Sequence, residues 1–135
     1  MQIEKVLHSQ SLKVRIDDIN YGNHLGHDKL VSLLHDARCA WLHSHKLSEI
    51  KLGQDGLGWV VANLNVNYRA EAFFADQLTL ELGLIKLGNK SVTLAQKVTN
   101  QHEEVLATAE VTLVFYDYHQ RQAVAAPAVF KALVE

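Results

Sequence analysis

The sequence predicts an α+β domain in which a curled antiparallel sheet of about five strands packs around one long central helix. Two observations carry this. Leu30, Leu33, Leu34, Ala37 and Trp41 recur at i, i+3, i+4, i+7 and i+11, a single apolar stripe at helical period. Beyond Gly58 the apolar period becomes 2 and stays so through several runs. Helical and strand patterns are segregated along the chain, which favours an antiparallel sheet over a doubly wound parallel one.

A first strand is expected near Lys5 to Ile16, followed by a polar loop, Asp17 to Asp28. The helix follows that loop. Lys29, Ser32, Asp36 and His43 lie off its apolar stripe, and Asp28 suits the positive end of its dipole. No Gly or Pro interrupts Lys29 to Ile50, so one long helix is predicted, with a short second piece near Leu47 to Leu52 before the Gly53 to Gly58 cluster ends it. Val60, Ala62, Leu64, Val66 and Tyr68 alternate with Asn63, Asn65 and Asn67 as a half-buried strand. Leu78 to Leu84, a Gly88-Asn89 turn, Val92 to Val98 and Val105 to Phe115 complete a meander. One helix cannot cover so long a sheet. The outer positions Leu106, Val114, Val61 and Ile85 are also apolar, and surface of that kind is expected to meet another subunit.

Composition narrows the function classes. The 135 residues suffice for a single domain with one core. One cysteine gives no disulfide framework and fits a reducing cytoplasm. Met1 to Lys5 lacks the charged and apolar regions of a signal peptide, and the apolar tail Ala123 to Val134, interrupted by Pro127, is too short to span a bilayer. A net charge of −2 and the lack of a Gly-rich phosphate motif favour neither a nucleic-acid nor a membrane partner, and no cofactor is expected. His24, His27, His35, His43 and His45 match no metal-ligand spacing, so no metal is expected either. Cys39 reads as a small packing residue, and no serine sits in a nucleophile elbow.

Chemistry concentrates in Asp17-Asp18-Ile19-Asn20-Tyr21-Gly22-Asn23-His24-Leu25-Gly26-His27-Asp28. Carboxylates, amides and two imidazoles there lead into a helix N-terminus, whose unpaired N–H groups favour negative charge. That combination suits a polarised carbonyl. Each residue also has a plainer use: Asp17 and Asp18 in ending a strand and turning, Asn20 and Asn23 in turns or caps, Asp28 in steadying the helix start.

On these residues the chain resembles the hotdog-fold thioesterases of the 4-hydroxybenzoyl-CoA thioesterase type. That family carries Arg-x-x-Asp-x-Asp-x-x-Gly-His-Val-Asn-Asn before its central helix. Arg15, Asp18, His24 and Leu25 fit the frame, and Asp36-Ala37-Arg38 resembles the Glu-Ala-Arg stretch on the helix. Tyr68-Arg69-Ala70 leading to Asp76-Gln77-Leu78, Leu87-Gly88-Asn89-Lys90-Ser91, and Thr112 to Asp117 are similar to the family's later motifs in order and spacing. The resemblance implies the hotdog fold, acyl-CoA or acyl-carrier-protein thioester hydrolysis, and a site shared between two subunits of a homodimer or homotetramer. It also exposes a departure. The family's catalytic carboxylate, nucleophile or base, falls at Asn20, and an amide neither takes up a proton near neutral pH nor attacks a thioester readily. Gly22-Asn23 and Gly26-His27 differ from the frame as well.

For hydrolysis, the oxyanion would rest on backbone N–H groups around Gly26 and His27, Asn20 would orient water, and the base would come from Asp18, His24, His27 or Asp36. His24 is attractive because an imidazole titrates near physiological pH. Arg69, Lys86, Lys90 and Arg121 are candidate partners for CoA phosphates. Phe73 and Phe74, adjacent aromatics in an expected loop, are better candidates for an acyl pocket than Trp59 and Tyr68, which fit strand packing. Two functions stay open: a thioesterase, and a hotdog protein that binds an acyl thioester without turning it over. Hydratase chemistry lacks its supporting histidine motif.

Overall fold

The computed structural model describes residues 1–135. In chain order they form β1 (Val6–Lys13), a 3-10 turn at Ile16–Asp18, α1 (His27–Ser44), β2 (Leu57–Tyr68), β3 (Gln77–Leu87), β4 (Ser91–Thr99), β5 (Val105–Asp117), β6 (Gln122–Ala123) and α2 (Ala128–Val134). The strands make one antiparallel sheet in the order β1-β3-β4-β5-β2, with β6 added to β5. Leu30, Leu34, Ala37 and Trp41 of α1 are buried, and the alternating residues Leu78, Leu80 and Leu82, Val92, Leu94 and Val98, and Ala107 through Phe115 at every second position are buried in the strands. Neither helix is long and apolar enough to cross a membrane.

Several boundaries differ from the sequence expectation, each for a local reason. β1 stops at Lys13 because Ile16–Asp18 turn instead of extending. The helix ends at Ser44 because Lys46 takes a left-handed conformation (φ 61°), the Leu47 N–H donates to the Leu42 carbonyl and the Lys46 N–H to the His43 carbonyl. This is a Schellman closure without its usual glycine, so no breaker marks it in the sequence. Leu47 to Leu52 is accordingly not helical, and Ser48, Lys51 and Asp55 form isolated bridges instead. In β2 a bulge at Ala62 shifts the phase: Trp59 is buried before it, Leu64 and Val66 are half-buried after it, and Ala62 is exposed. A second bulge, at Leu106 in β5, turns that side chain into the core, so Leu106 is not outer surface. Val61 and Ile85 are 51% and 46% exposed, as expected of outer positions.

The tail beyond Pro127 is also more than apolar chain. It forms α2, whose Phe130 is fully buried and meets Trp41, Trp59 and Phe115 edge-on at centroid distances of 5.8, 5.7 and 5.0 Å. These residues belong to one of two apolar clusters in the core. Between the clusters lies Arg38, whose Nη1 donates to Gln96 Oε1 (2.9 Å), while Gln96 Nε2 donates to the Leu34 carbonyl (2.9 Å). Burial lowers the Arg38 pKa, against the opposing pull of the Glu49 charge.

Glu49 stitches the segment after α1 to the sheet. Its carbonyl accepts the Trp59 N–H (3.1 Å), and a Cβ on Gly58 would stand 1.9 Å from that oxygen, so only glycine lets the two backbones lie together. The carboxylate accepts hydrogen bonds from His35 Nε2 (2.6 Å), Trp59 Nε1 (2.6 Å) and Cys39 Sγ (3.3 Å). Burial alone would raise the Glu49 pKa, but the bonds from His35, Trp59 and Cys39 outweigh it and hold the carboxyl below its ordinary value. Burial, then Glu49, pushes the Cys39 thiol up to about 11, which keeps it protonated and a poor nucleophile. The donor atoms of His35, Cys39 and Glu49 lie within 4.8 Å of one another, and hydrogen bonding accounts for that convergence.

Two outcomes follow. Phe130→Ala should cost roughly 3–5 kcal/mol in stability, the range for emptying an aromatic site in a packed core, read by urea denaturation. Because the Glu49 pKa is depressed on folding, its contribution is present above the unfolded-state pKa of a glutamate and is lost as pH falls through the lower folded value. Glu49→Gln should therefore cost roughly 1.5–3 kcal/mol near neutral pH and flatten the acid side of the stability–pH curve, measured by thermal melts.

Candidate active site

The polar loop folds on itself. Ile19 and Leu25 pair as an antiparallel bridge, the Asn20 N–H donates to the His24 carbonyl (2.8 Å), and the Asn23 N–H to the Asn20 carbonyl (3.1 Å). Asn23 closes the turn at φ 68°, a conformation that asparagine tolerates. The Asn20 side chain clasps this turn from within: its Oδ1 accepts the N–H groups of Gly22 (3.0 Å) and His24 (3.4 Å). Nδ2 is then the end of the amide that the loop leaves unused.

Leu25 and Gly26 lock the turn to the body of the fold. The Leu25 N–H donates to the Ala72 carbonyl (2.8 Å) and the Gly26 N–H to the Asp18 carbonyl (3.0 Å). Gly26 is the N-cap of α1 and offers no side-chain acceptor, so the N–H groups of His27, Asp28 and Lys29 begin the helix uncapped. His24 Nδ1 lies 3.1 Å from the Leu25 carbonyl, and donation there leaves Nε2 as the acceptor nitrogen. Across from the helix start, the Tyr68 hydroxyl donates to the His27 carbonyl (3.0 Å), and the two rings meet edge-on at 6.5 Å.

These parts enclose a cavity of about 370 Å³. Its polar wall is Asn20, His24, His27, Tyr68, Arg69 and Glu71, and Leu25, Leu30 and Leu106 supply apolar surface. The cavity can hold a carbonyl against N–H donors with an apolar group beside it, and Arg69 gives it a permanent positive charge.

The structure gathers some predicted residues here and leaves others elsewhere. Asn20, His24, Gly26, His27 and Arg69 line the cavity, as does Tyr68, although its place in the strand pattern suggests packing alone. Asp18 does not, because its carboxylate turns back to accept the Arg15 N–H (2.9 Å). Asp36 is exposed on α1 and accepts from Gln10 Nε2 (3.2 Å), away from the loop. Phe73 and Phe74 are 50% and 57% exposed and lie outside the cavity lining. Lys86 and Lys90 flank the β3–β4 turn, level with the Thr112–Val114 end of β5, whereas the cavity opens at the Leu106 end. Glu71 was missed by sequence reasoning. It belongs to no motif, and only its neighbours in the Tyr68-Arg69-Ala70 stretch carried a signal.

A family model described as the thioesterase-like superfamily matches residues 14–134. The long-chain acyl-CoA thioesterase FadM of Escherichia coli strain K12 is 30% identical over 115 residues, covering 84% of this chain and 86% of that protein. The acyl-CoA thioester hydrolase YbgC of Escherichia coli O6:H1 is 26% identical over 106 residues, covering 78% of this chain and 79% of that one. Among solved structures, the Staphylococcus aureus protein SAV2348, determined in complex with CoA, superimposes with a TM-score of 0.87 at 19% identity, covering 99% of this chain and 84% of that one.

Proposed function

The chain belongs to the thioesterase-like superfamily, a thioester hydrolase with the hotdog fold, and we propose that it cleaves acyl-CoA esters at the cavity beside the start of α1. The observation that carries this reading is the convergence there of uncapped helix N–H groups, the unused Nδ2 of Asn20 and the His24 ring. The acyl carbonyl would accept from the helix-start N–H groups, which favour the charge that develops as water adds, and Asn20 would orient the water. His24, its Nδ1–H tied to the Leu25 carbonyl, would present Nε2 to the attacking water. His27 and Gly26 shape the carbonyl site, and Arg69 would meet a phosphate of the CoA moiety. Phe73 and Phe74 would reach an acyl group only from beyond the lining described, and Lys86 and Lys90 only a CoA tail running to the far end of the sheet.

A site completed by a second copy is part of the same proposal. β2 is a twelve-residue strand at the sheet edge, paired on one side only, and so long an open edge invites antiparallel pairing with its counterpart in a homodimer. The second reading, acyl-thioester binding without turnover, draws its support from Asn20 alone, where an amide occupies a position that would suit a carboxylate.

Release of free thiol from a panel of short-chain, long-chain and aromatic acyl-CoA esters separates the two readings. Turnover well above the uncatalysed rate is expected on at least one ester, and a folded protein inert towards all of them would favour binding alone. On the best ester, His24→Ala should lower kcat on the order of 10²-fold through loss of alignment, while Asn20→Asp should keep or raise it, both read from initial rates.

A further inference from the structure

We propose that Glu71 is the general base of this hydrolysis, supplying the proton acceptor that Asn20, as an amide, cannot be. The inference rests on the thioesterase reading above. Of the side chains lining the cavity, Glu71 carries the only carboxylate. Asp18 is committed to the Arg15 N–H, Asp17 to the Arg15 guanidinium, and Asp76 to the Phe73 N–H and to Gln101, while Asp28, at the helix start, lies outside the cavity lining. Glu71 is exposed and takes part in no hydrogen bond or ion pair, so neither of its oxygens is committed to another group of the chain.

Its backbone is nevertheless held in place. The Ala70 N–H donates to the Leu106 carbonyl (3.2 Å), and the Ala72 carbonyl accepts the Leu25 N–H (2.8 Å), so the residues on both sides are pinned to β5 and to the catalytic loop. The remaining groups of the polar wall are mostly donors or cations: the helix-start N–H groups, Asn20 Nδ2 and Arg69. Such a wall stabilises an oxyanion but removes no proton from water. His24 Nε2 is the other free acceptor, and in this scheme it orients the water whose proton Glu71 takes.

In the step assigned to it, the Glu71 carboxylate takes one proton from water as the water oxygen bonds to the acyl carbon. The tetrahedral adduct collapses with cleavage of the C–S bond. The proton held by Glu71 passes to the departing thiolate, so free thiol and acid leave and the carboxylate is regenerated.

The test is the pH dependence of kcat and KM for wild type, Glu71→Gln, Glu71→Asp and the double variant Asn20→Asp/Glu71→Gln, on an acyl-CoA that wild type turns over. Glu71→Gln should lose roughly 10²–10⁴-fold in kcat with KM little changed, and with it the acid limb of the profile. Glu71→Asp should retain more activity than Glu71→Gln, and the double variant should recover part of the loss because a carboxylate returns to the cavity lining. A Glu71→Gln enzyme within about twofold of wild type in kcat, or one impaired in KM alone, overturns the proposal. Wild-type protein that melts cooperatively yet releases no thiol from any ester overturns the thioesterase reading itself, and Glu71 as its base along with it; that result is seen without any variant.

Discussion

The position of α1 on the sheet depends on one buried polar link. Arg38 reaches from the helix to Gln96 in the middle of β4, and Gln96 reaches back to the Leu34 carbonyl one turn earlier. Leucine-rich surfaces on either side would tolerate sliding by a turn, whereas a guanidinium that loses its acceptor in the core leaves a buried charge unpaired. The link therefore fixes the height at which the helix sits. Arg38 Nε has no partner, and the nearest compensating charge is that of Glu49, outside the core. The hydrogen-bonded knot of Glu49 with His35, Trp59 and Cys39 thus serves both to close the helix end and to balance the charge within.

Fixing that height places the N-terminus of α1 beside the end of β2 and the start of β5. Everything chemical follows from the placement. The uncapped helix start, at Gly26 and His27, lines the cavity, Tyr68 is close enough to hold the His27 carbonyl, and Leu25 can pair with Ala72. The loop before the helix then needs internal order, and the Asn20 amide provides it through two backbone N–H groups. Asn20 is a structural clasp as well as a lining residue, which explains how the site keeps its shape with an amide where a carboxylate would suit the reaction.

Much of this was legible in the sequence. The stripe from Leu30 to Trp41 and the alternating runs from Leu78 to Phe115 gave the helix, the strands and their antiparallel sense, because one-sided burial imposes those periods, but not the full pairing: only β3-β4-β5 is the expected meander, while β2 crosses to β5 and β1 takes the place beside β3. Three features had no such signature. The helix ends at Ser44 through backbone hydrogen bonds that any residue can make, with Lys46 left-handed at a cost that asparagine or glycine would avoid. The bulges at Ala62 and Leu106 insert one residue and invert the apparent inward face, which period counting cannot anticipate. The short α2 is too brief for periodicity, and its role rests on one aromatic, Phe130, that finds partners distant in sequence. Of the cavity lining, motif order pointed to Asn20, His24, Gly26 and Arg69, whereas Glu71 is picked out only by the cavity it lines, and the engagement of Asp18 with the Arg15 N–H only by the turn it closes.

The walls of the cavity come from three separate stretches: the loop and helix start, the Tyr68–Ala72 segment, and Leu106. The loop can order locally, since its closing bonds join near neighbours, but the Tyr68–His27 and Leu25–Ala72 contacts close long intervals of chain. Contacts of that kind form late on the way to the native state. During refolding, helix and hairpin signals would return before the cavity does. Recovery of activity is therefore a stricter gauge of native structure in this protein than recovery of its secondary structure.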